Sequence, residues 1–305
     1  MDIHNCKICP RQCGVDRANA LGFCRIDQRP HIAEICVHRG EEPVLGGGRG
    51  VCNVFFSSCN LRCIFCQNYE ISQETIDKQE INTIESAATR IASILCAENI
   101  DTVGFVSPSH QAFQMKCIID TLRRRGFNPT IIYNTNAYDN IETLRELEDY
   151  VDIYLPDFKY ASDDLAVKYS SAPNYTKIAT EAITEMVRQK GTELTLDDSG
   201  TARKGTILRH LVLPGNVFNS INVLKKVAYD ISPDMYISLM SQYYPEYKAK
   251  EDEKLGKYVT EKEYLKVTET AETLGLTNGW VQELGSSGFY RPDFSTTGNP
   301  FEKNY

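Results

Sequence analysis

No run of about 18 consecutive apolar residues occurs anywhere in the 305-residue chain, so no membrane-spanning helix is expected. The opening MDIHNCKICP has no apolar stretch of the signal-peptide kind, and the expected location is the cytoplasm. Positive charge is also short. A formal net charge of -8 and a pI near 5.3 argue against a general nucleic-acid binder, although they leave room for a local basic groove. No internal repeat or low-complexity tract is evident. Hydrophobic content of 42% and charged content of 24% are those of an ordinary globular chain. The length suits one large domain with a full core, or one domain with a small appendage.

What the chain does have is cysteine, 11 in all. The thiols are bunched, and with no export signal this favours metal or cluster ligation in a reducing compartment over disulfides. Cys59, Cys63 and Cys66 fall as C-x3-C-x2-C at the end of an apolar run, VCNVFFSSCNLRCIFCQNYEIS (51–72), with Phe65 directly before the third. A strand that stops at such a loop can hold three thiolates within one tight bend, which suits a polynuclear iron-sulfur centre. Three ligands leave one iron open, much as a catalytic zinc keeps a free position; a structural zinc would want a fourth ligand close by. Cys6, Cys9, Cys13 and Cys24 form a second group, C-x2-C-x3-C-x10-C, with Pro10, Gly14 and Gly22 supplying turns. Its four thiolates can close a site for zinc or for a second iron-sulfur cluster, and spacing leaves the two open. Cys36 and Cys52 read as spare ligands or as buried small apolar residues, and Cys96 and Cys117 as buried positions on helices.

The C-x3-C-x2-C spacing with its preceding aromatic resembles the signature of the radical S-adenosylmethionine (radical SAM) enzymes. That resemblance implies a [4Fe-4S] cluster on Cys59, Cys63 and Cys66, and S-adenosylmethionine chelated at the open iron beside Phe65. It also implies reductive cleavage to a 5'-deoxyadenosyl radical that abstracts hydrogen, and an electron donor such as flavodoxin or ferredoxin. YNTNAYD (133–139), DFK (157–159) and RHLVLPG (209–215) resemble segments of the activating enzymes of glycyl-radical enzymes. With CKICPRQCG, VSPSH and SLMSQYYP, nearly the whole chain is similar to the PflX-type proteins related to the pyruvate formate-lyase activating enzyme. The implied substrate is then a partner protein, attacked at a glycine Cα. Two departures accompany this match: VSPSH stands where many radical SAM enzymes carry Gly-Gly-Glu, and the extra cysteines precede the cluster loop instead of following it. They leave a small metabolite or an RNA base open as alternative targets, and a non-catalytic iron-sulfur or zinc module open as an alternative class.

Beyond residue 50 the pattern alternates between β-branched runs and helical periods. Strands are expected from Val51, at 101–106, 130–134, 151–155, 205–215 and 235–241, with a short one at GWVQEL (279–284). Helices are expected from Thr83 to about Asn99, at 111–126, 141–150, from Pro173, at 220–229 and at 260–275, with 197–205 read as a polar turn. Six strands separated by helices imply a parallel α/β sheet. The resemblance makes it a partial (β/α)6 TIM-like barrel, with residues 1–50 as a small cysteine-rich N-terminal extension and 51–305 as the core with a C-terminal extension.

In such folds ligands gather at the carboxyl ends of the strands. Ser107, Ser109 and Asn136 fall there as candidates for S-adenosylmethionine contacts, each also readable as a cap or turn residue. Asp157 and Lys159 share one face of an extended segment, either as a salt pair or to orient substrate. His210 reads as a proton donor or a satisfied core histidine. The segment 242–258, rich in tyrosine and charge, reads as a mobile loop at the barrel mouth, either a macromolecular contact or a solvated lid.

Overall fold

Residues 1–73, 81–285, 291–295 and 298–301 are described in the structure, a computed structural model of the chain. Strand β1 (Ile32–His38) runs antiparallel to β2 (Val51–Phe56). From β2 onward the sheet is parallel through β3 (Thr102–Val106), β4 (Thr130–Thr135) and β5 (Ile153–Pro156). The short β6 (Thr195–Leu196) returns antiparallel onto β7 (Ala202–Leu211), which lies beside β5, and β8 (Tyr236–Met240) and β9 (Gly279–Val281) complete the parallel series. The path begins at β1 and ends at β9, which do not pair with each other among the described residues. The result is an α/β fold around a mostly parallel sheet, an open TIM-like barrel with a cysteine-rich N-terminus.

A four-residue turn of helix, α1 (Tyr69–Ser72), follows the cysteine loop. Helices α2 (Ile84–Glu98), α3 (Ala112–Arg124), α4 (Ile141–Glu146), α5 (Asp163–Ser170), α6 (Tyr175–Lys190), α7 (Val217–Lys226) and α8 (Glu261–Thr273) fill the crossovers. Thr83 caps α2 as its sequence position requires, its hydroxyl accepting from Ser86 N at 3.1 Å. Two elements escape the periodicity. In β1 the alternation is broken at Glu34 by a register shift, and α5 has only 8 residues, although Ser162, Asp163 and Asp164 write a helix start. Pro173 lies ahead of α6, which begins at Tyr175, and the polar turn ends at Thr201, where β7 begins with Ala202.

Strand alternation sorts the two faces. Cys52, Val54 and Phe56 pack outward with Ile91 of α2 and Met115 of α3. Val51 turns inward to meet Leu45, Ile132, Ile153, Leu155 and Ile207, and residues from four different strands can meet only across the concave side. Above this apolar floor lies a polar layer. Asn53 donates to Glu41 at 2.7 Å, and Arg209 donates to Asn134 at 2.8 Å and to Asp157 at 3.0 Å. Gly104 makes room for it, because a Cβ there would stand 2.1 Å from the Asn53 side-chain oxygen. Among the described residues no helix is long and apolar enough to cross a membrane.

Candidate functional site

The loop after β2 carries its three cysteines over the carboxyl end of the sheet, and its shape is set by bonds to distant elements. Arg62 N donates to Ser170 O and Ile64 N to Tyr169 O, each at 2.9 Å, clamping the loop onto α5. The Arg62 guanidinium turns back to the Cys59 carbonyl at 2.9 Å. Phe65 is buried and packs against Tyr243, with ring centroids 6.2 Å apart.

Each sulfur receives donors. Cys59 Sγ lies 3.4 Å from Leu61 N and 3.5 Å from Asn136 Nδ2, Cys63 Sγ accepts from Ser170 Oγ at 2.9 Å, and Cys66 Sγ is 3.2 Å from Ser72 Oγ. Burial pushes the Cys59 thiol up to about 11 and Cys66 to about 12, and raises Cys63, the neighbouring thiols adding to the effect at Cys59 and Cys66. Lys159 works the other way at Cys59 and Cys63. Three soft sulfurs feeling one another's charge, with N–H and O–H groups aimed at them and a cation nearby, suit iron-sulfur ligation. Among the described residues no group of three or more His, Cys, Asp or Glu is placed to hold a single metal ion. A cluster spreads its thiolates over separate irons, so that finding bears on a mononuclear ion and not on a cluster.

Of the residues expected around the triad, the structure brings Asn136, Asp157 and Lys159 to it. Asn136 is buried, bridging Cys59 and the Asn60 side chain at 2.9 Å. Lys159 Nζ is 2.7 Å from Asp157, whose other oxygen takes Arg209 Nε at 3.0 Å. Burial alone would raise the Asp157 carboxyl, but Lys159 and Arg209 outweigh it and hold it below the ordinary carboxylate range. The Tyr175 hydroxyl accepts from Lys159 N and lies 2.9 Å from the carbonyls of Asn136 and Asp157, tying together the ends of β4 and β5.

Ser107 and Ser109 are placed otherwise. Ser107 holds a left-handed turn (φ 53°) and its N–H donates to Asn134 O at 2.8 Å. The Ser109 hydroxyl, buried, is 3.1 Å from Thr135 Oγ1, in a network with the buried Asp139 that also takes Tyr133 OH at 2.7 Å, on the helix side of the sheet. His210 is a satisfied core histidine: fully buried, bonded to Phe158 O at 2.7 Å and Ser220 Oγ at 2.9 Å, and driven down to about 4 by burial. The segment 242–258 is tied down and not a free loop. Tyr243, Ala249 and Leu255 are buried, Ala249 N donates to Ile64 O at 2.8 Å, and Tyr243 OH donates to Leu255 O at 2.6 Å. Cys36 and Cys52 are buried, but Cys96 is exposed because it falls on the solvent side of α2, and Cys117 is half-buried.

Sequence reasoning missed Asn60, Arg62, Ser72 and Ser170 as partners of the triad, and Glu41 and Glu42 as inward-facing carboxylates. Glu42 is buried within 4.0 Å of Arg209, and burial raises its carboxyl despite that neighbour. Only Asn60 and Arg62 carried a local signal, their place between the first two cysteines of the triad.

Comparison with known proteins places residues 53–215 within the family model for the radical SAM superfamily, just over half of the chain. A curated relative, an uncharacterized protein of Methanocaldococcus jannaschii, is 32% identical over 282 residues, spanning 89% of this chain and 75% of its own. Among solved structures, TYW1 with a lysine-pyruvate adduct bound matches with a TM-score of 0.44 and 14% identity, covering 74% of each chain. A domain of the pyruvate-formate lyase-activating enzyme from Bacteroides vulgatus matches with a TM-score of 0.39 and 14% identity, over 56% of this chain and 93% of that one.

Proposed function

The chain belongs to the radical SAM superfamily, and from that premise we propose that Cys59, Cys63 and Cys66 hold its [4Fe-4S] cluster and that the surrounding strand ends bind S-adenosylmethionine. When bound, these groups supply one-electron reductive cleavage of a sulfonium and so a radical able to abstract hydrogen. The observation that carries the reading is the thiol triad itself: buried Cys59 and Cys63 and half-buried Cys66, close enough to feel one another's charge, each with its sulfur hydrogen-bonded.

The chain's own residues divide the remaining work. Asn136 and Leu61 N bond the Cys59 sulfur and fix the loop, while Ser170 does the same for Cys63. Lys159, held by Asp157, places a positive charge beside the thiolates, and with Arg209 it offers donors to a carboxylate. Phe65, packed on Tyr243, closes one side of the loop against water. The electron is supplied by a partner such as flavodoxin or ferredoxin.

For the substrate, resemblance to activating enzymes supports a glycine Cα of a partner protein. One feature supports a second reading, a small polar metabolite: the charged layer of Glu41, Glu42, Asp157 and Arg209 beneath the triad could recognise one. Anaerobically reconstituted, reduced protein should release 5'-deoxyadenosine from S-adenosylmethionine, and Cys63→Ala should reduce release to background. Wild-type turnover by Cys63→Ala would refute the assignment. Transfer of deuterium into 5'-deoxyadenosine from a deuterated protein fraction, as against a deuterated filtrate of small molecules, separates the two substrates.

A further inference from the structure

Arg17 is 2% exposed, yet among the described residues it makes no ion pair with a carboxylate. Its Nε stands 3.2 Å from Cys6 Sγ, one terminal nitrogen 3.9 Å from Cys24 Sγ, and the other donates to His110 O at 2.8 Å. A guanidinium does not shed its proton in a protein, and a buried charge without a counter-charge is strongly unfavourable. The charge that answers Arg17 must therefore sit on the sulfurs it touches.

We propose that Cys6, Cys9, Cys13 and Cys24 hold a second iron-sulfur cluster, a four-thiolate site of net negative charge, with Arg17 as its buried counter-ion. Neutral thiols carry no charge to answer the guanidinium, whereas the buried Cys6 and Cys24 sulfurs it touches would carry one as metal ligands. Metal ligation takes the protons off. Four thiolates around an iron-sulfur core leave the net negative charge that Arg17 requires, and a cluster spreads its thiolates over separate irons, in keeping with the absence among the described residues of a group placed for a single ion.

The backbone is arranged for such a site. Cys6 N donates to Val15 O and Gly14 N to Cys6 O, each at 2.9 Å, folding the first three cysteines into one hairpin. Phe23 N donates to Cys13 Sγ at 3.3 Å, and backbone N–H groups of Arg11 and Ile26 do the same for Cys9 and Cys24. Gly22 permits the approach of the fourth cysteine, because a Cβ there would meet Cys13 Sγ at 3.0 Å.

The centre also braces the triad loop. Ser58 Oγ donates to Cys24 O, Arg62 donates to Phe23 O at 2.6 Å, and Arg11 Nε donates to Asn60 O at 2.9 Å. The hairpin thus holds the residues on either side of Cys59.

The test uses the full-length chain with Cys59, Cys63 and Cys66 all replaced by alanine, isolated without oxygen and supplied in separate arms with zinc or with iron and sulfide. This variant should retain iron and sulfide in equal amounts with their charge-transfer absorbance, and should not retain stoichiometric zinc. Loading with zinc instead, or in neither arm, overturns the proposal while leaving the triad assignment intact. Cys13 is exposed, so Cys13→Ser in this background disturbs no packing and should abolish stoichiometric loading; metal content equal to its parent overturns the four-cysteine site. With all cysteines present, Arg17→Met should release the second metal to a chelator about 10- to 100-fold faster, with Arg17→Lys partly restoring retention. Identical release from Arg17→Met and wild type overturns the counter-ion role.

Discussion

Replacing Asp157 with asparagine removes the one negative charge set between Lys159 and Arg209 in the polar layer. The carboxylate lies 2.7 Å from one cation and 3.0 Å from the other, and all three side chains are less than one-fifth exposed. An exposed ion pair would contribute about 0–1 kcal/mol, whereas removing one member of a buried pair costs about 3–5 kcal/mol. Burial at this level selects the larger figure, because the buried Lys159 loses its carboxylate and Arg209 keeps only the longer carboxylate contacts, to Glu41 at 3.5 Å and Glu42 at 4.0 Å. With an unfolding entropy of about 2.1 cal/mol/K per residue, a chain of this length has about 0.64 kcal/mol/K, so the melting temperature should fall by about 5–8 °C. The surface-pair figure would give less than about 2 °C. Calorimetry of the metal-free protein distinguishes them, and adding Arg209→Gln to Asp157→Asn should recover part of the loss through a double-mutant cycle. The pH dependence has a definite sign. The folded carboxyl is held below its unfolded value, so its contribution is present above about pH 4 and lost as the pH falls through the folded value; Asp157→Asn should lack that acid limb. A melting point within about 1 °C of wild type, with no coupling to Arg209, would refute the reasoning.

Four further outcomes follow from the geometry. Cluster assembly should strengthen steeply with pH. Cys59, Cys63 and Cys66 each surrender a proton from a raised thiol, so apparent affinity should rise about a thousandfold per pH unit near neutrality, and a slope below tenfold in anaerobic reconstitution would count against three ligands. The same raised values stabilise the metal-free fold fully below about pH 8.5, with the benefit lost toward pH 11–12, visible as a falling melting point. For His210 the sign is opposite. A histidine lowered to about 4 contributes fully above about pH 6.5 and loses its contribution between there and pH 4, so His210→Asn should flatten that part of the stability curve without changing the pH profile of turnover. Gly104→Ala should cost about 1–3 kcal/mol by overpacking against Asn53, and pairing it with Asn53→Ala should return much of that in chemical denaturation.

Strand β2, the cysteine loop and most helices were legible because their signals are local. Thr83 caps α2 through Ser86, three residues on, and the thiol spacing lies within eight consecutive residues of one bend. Cys96 shows how such a signal fails, since a cysteine on an amphipathic helix faces the core or water according to a difference of one position in the helical turn. The segment 242–258 looked free because it is polar, but three widely spaced residues, Tyr243, Ala249 and Leu255, anchor it.

By itself the amino-acid order determined which atoms could bind soft metals, the succession of β and α elements, and hence the parallel sheet whose strand ends carry the site. Those follow from periods of two and 3.6 residues and from spacing along a few turns of backbone. Only the folded chain decided that Ser170 donates to Cys63 from 107 residues away, that Glu41 and Glu42 turn inward toward Arg209, and that Arg17 is sealed against Cys6 and Cys24. Those are meetings across closed loops, set by how the strands twist and stack, and no local pattern encodes them.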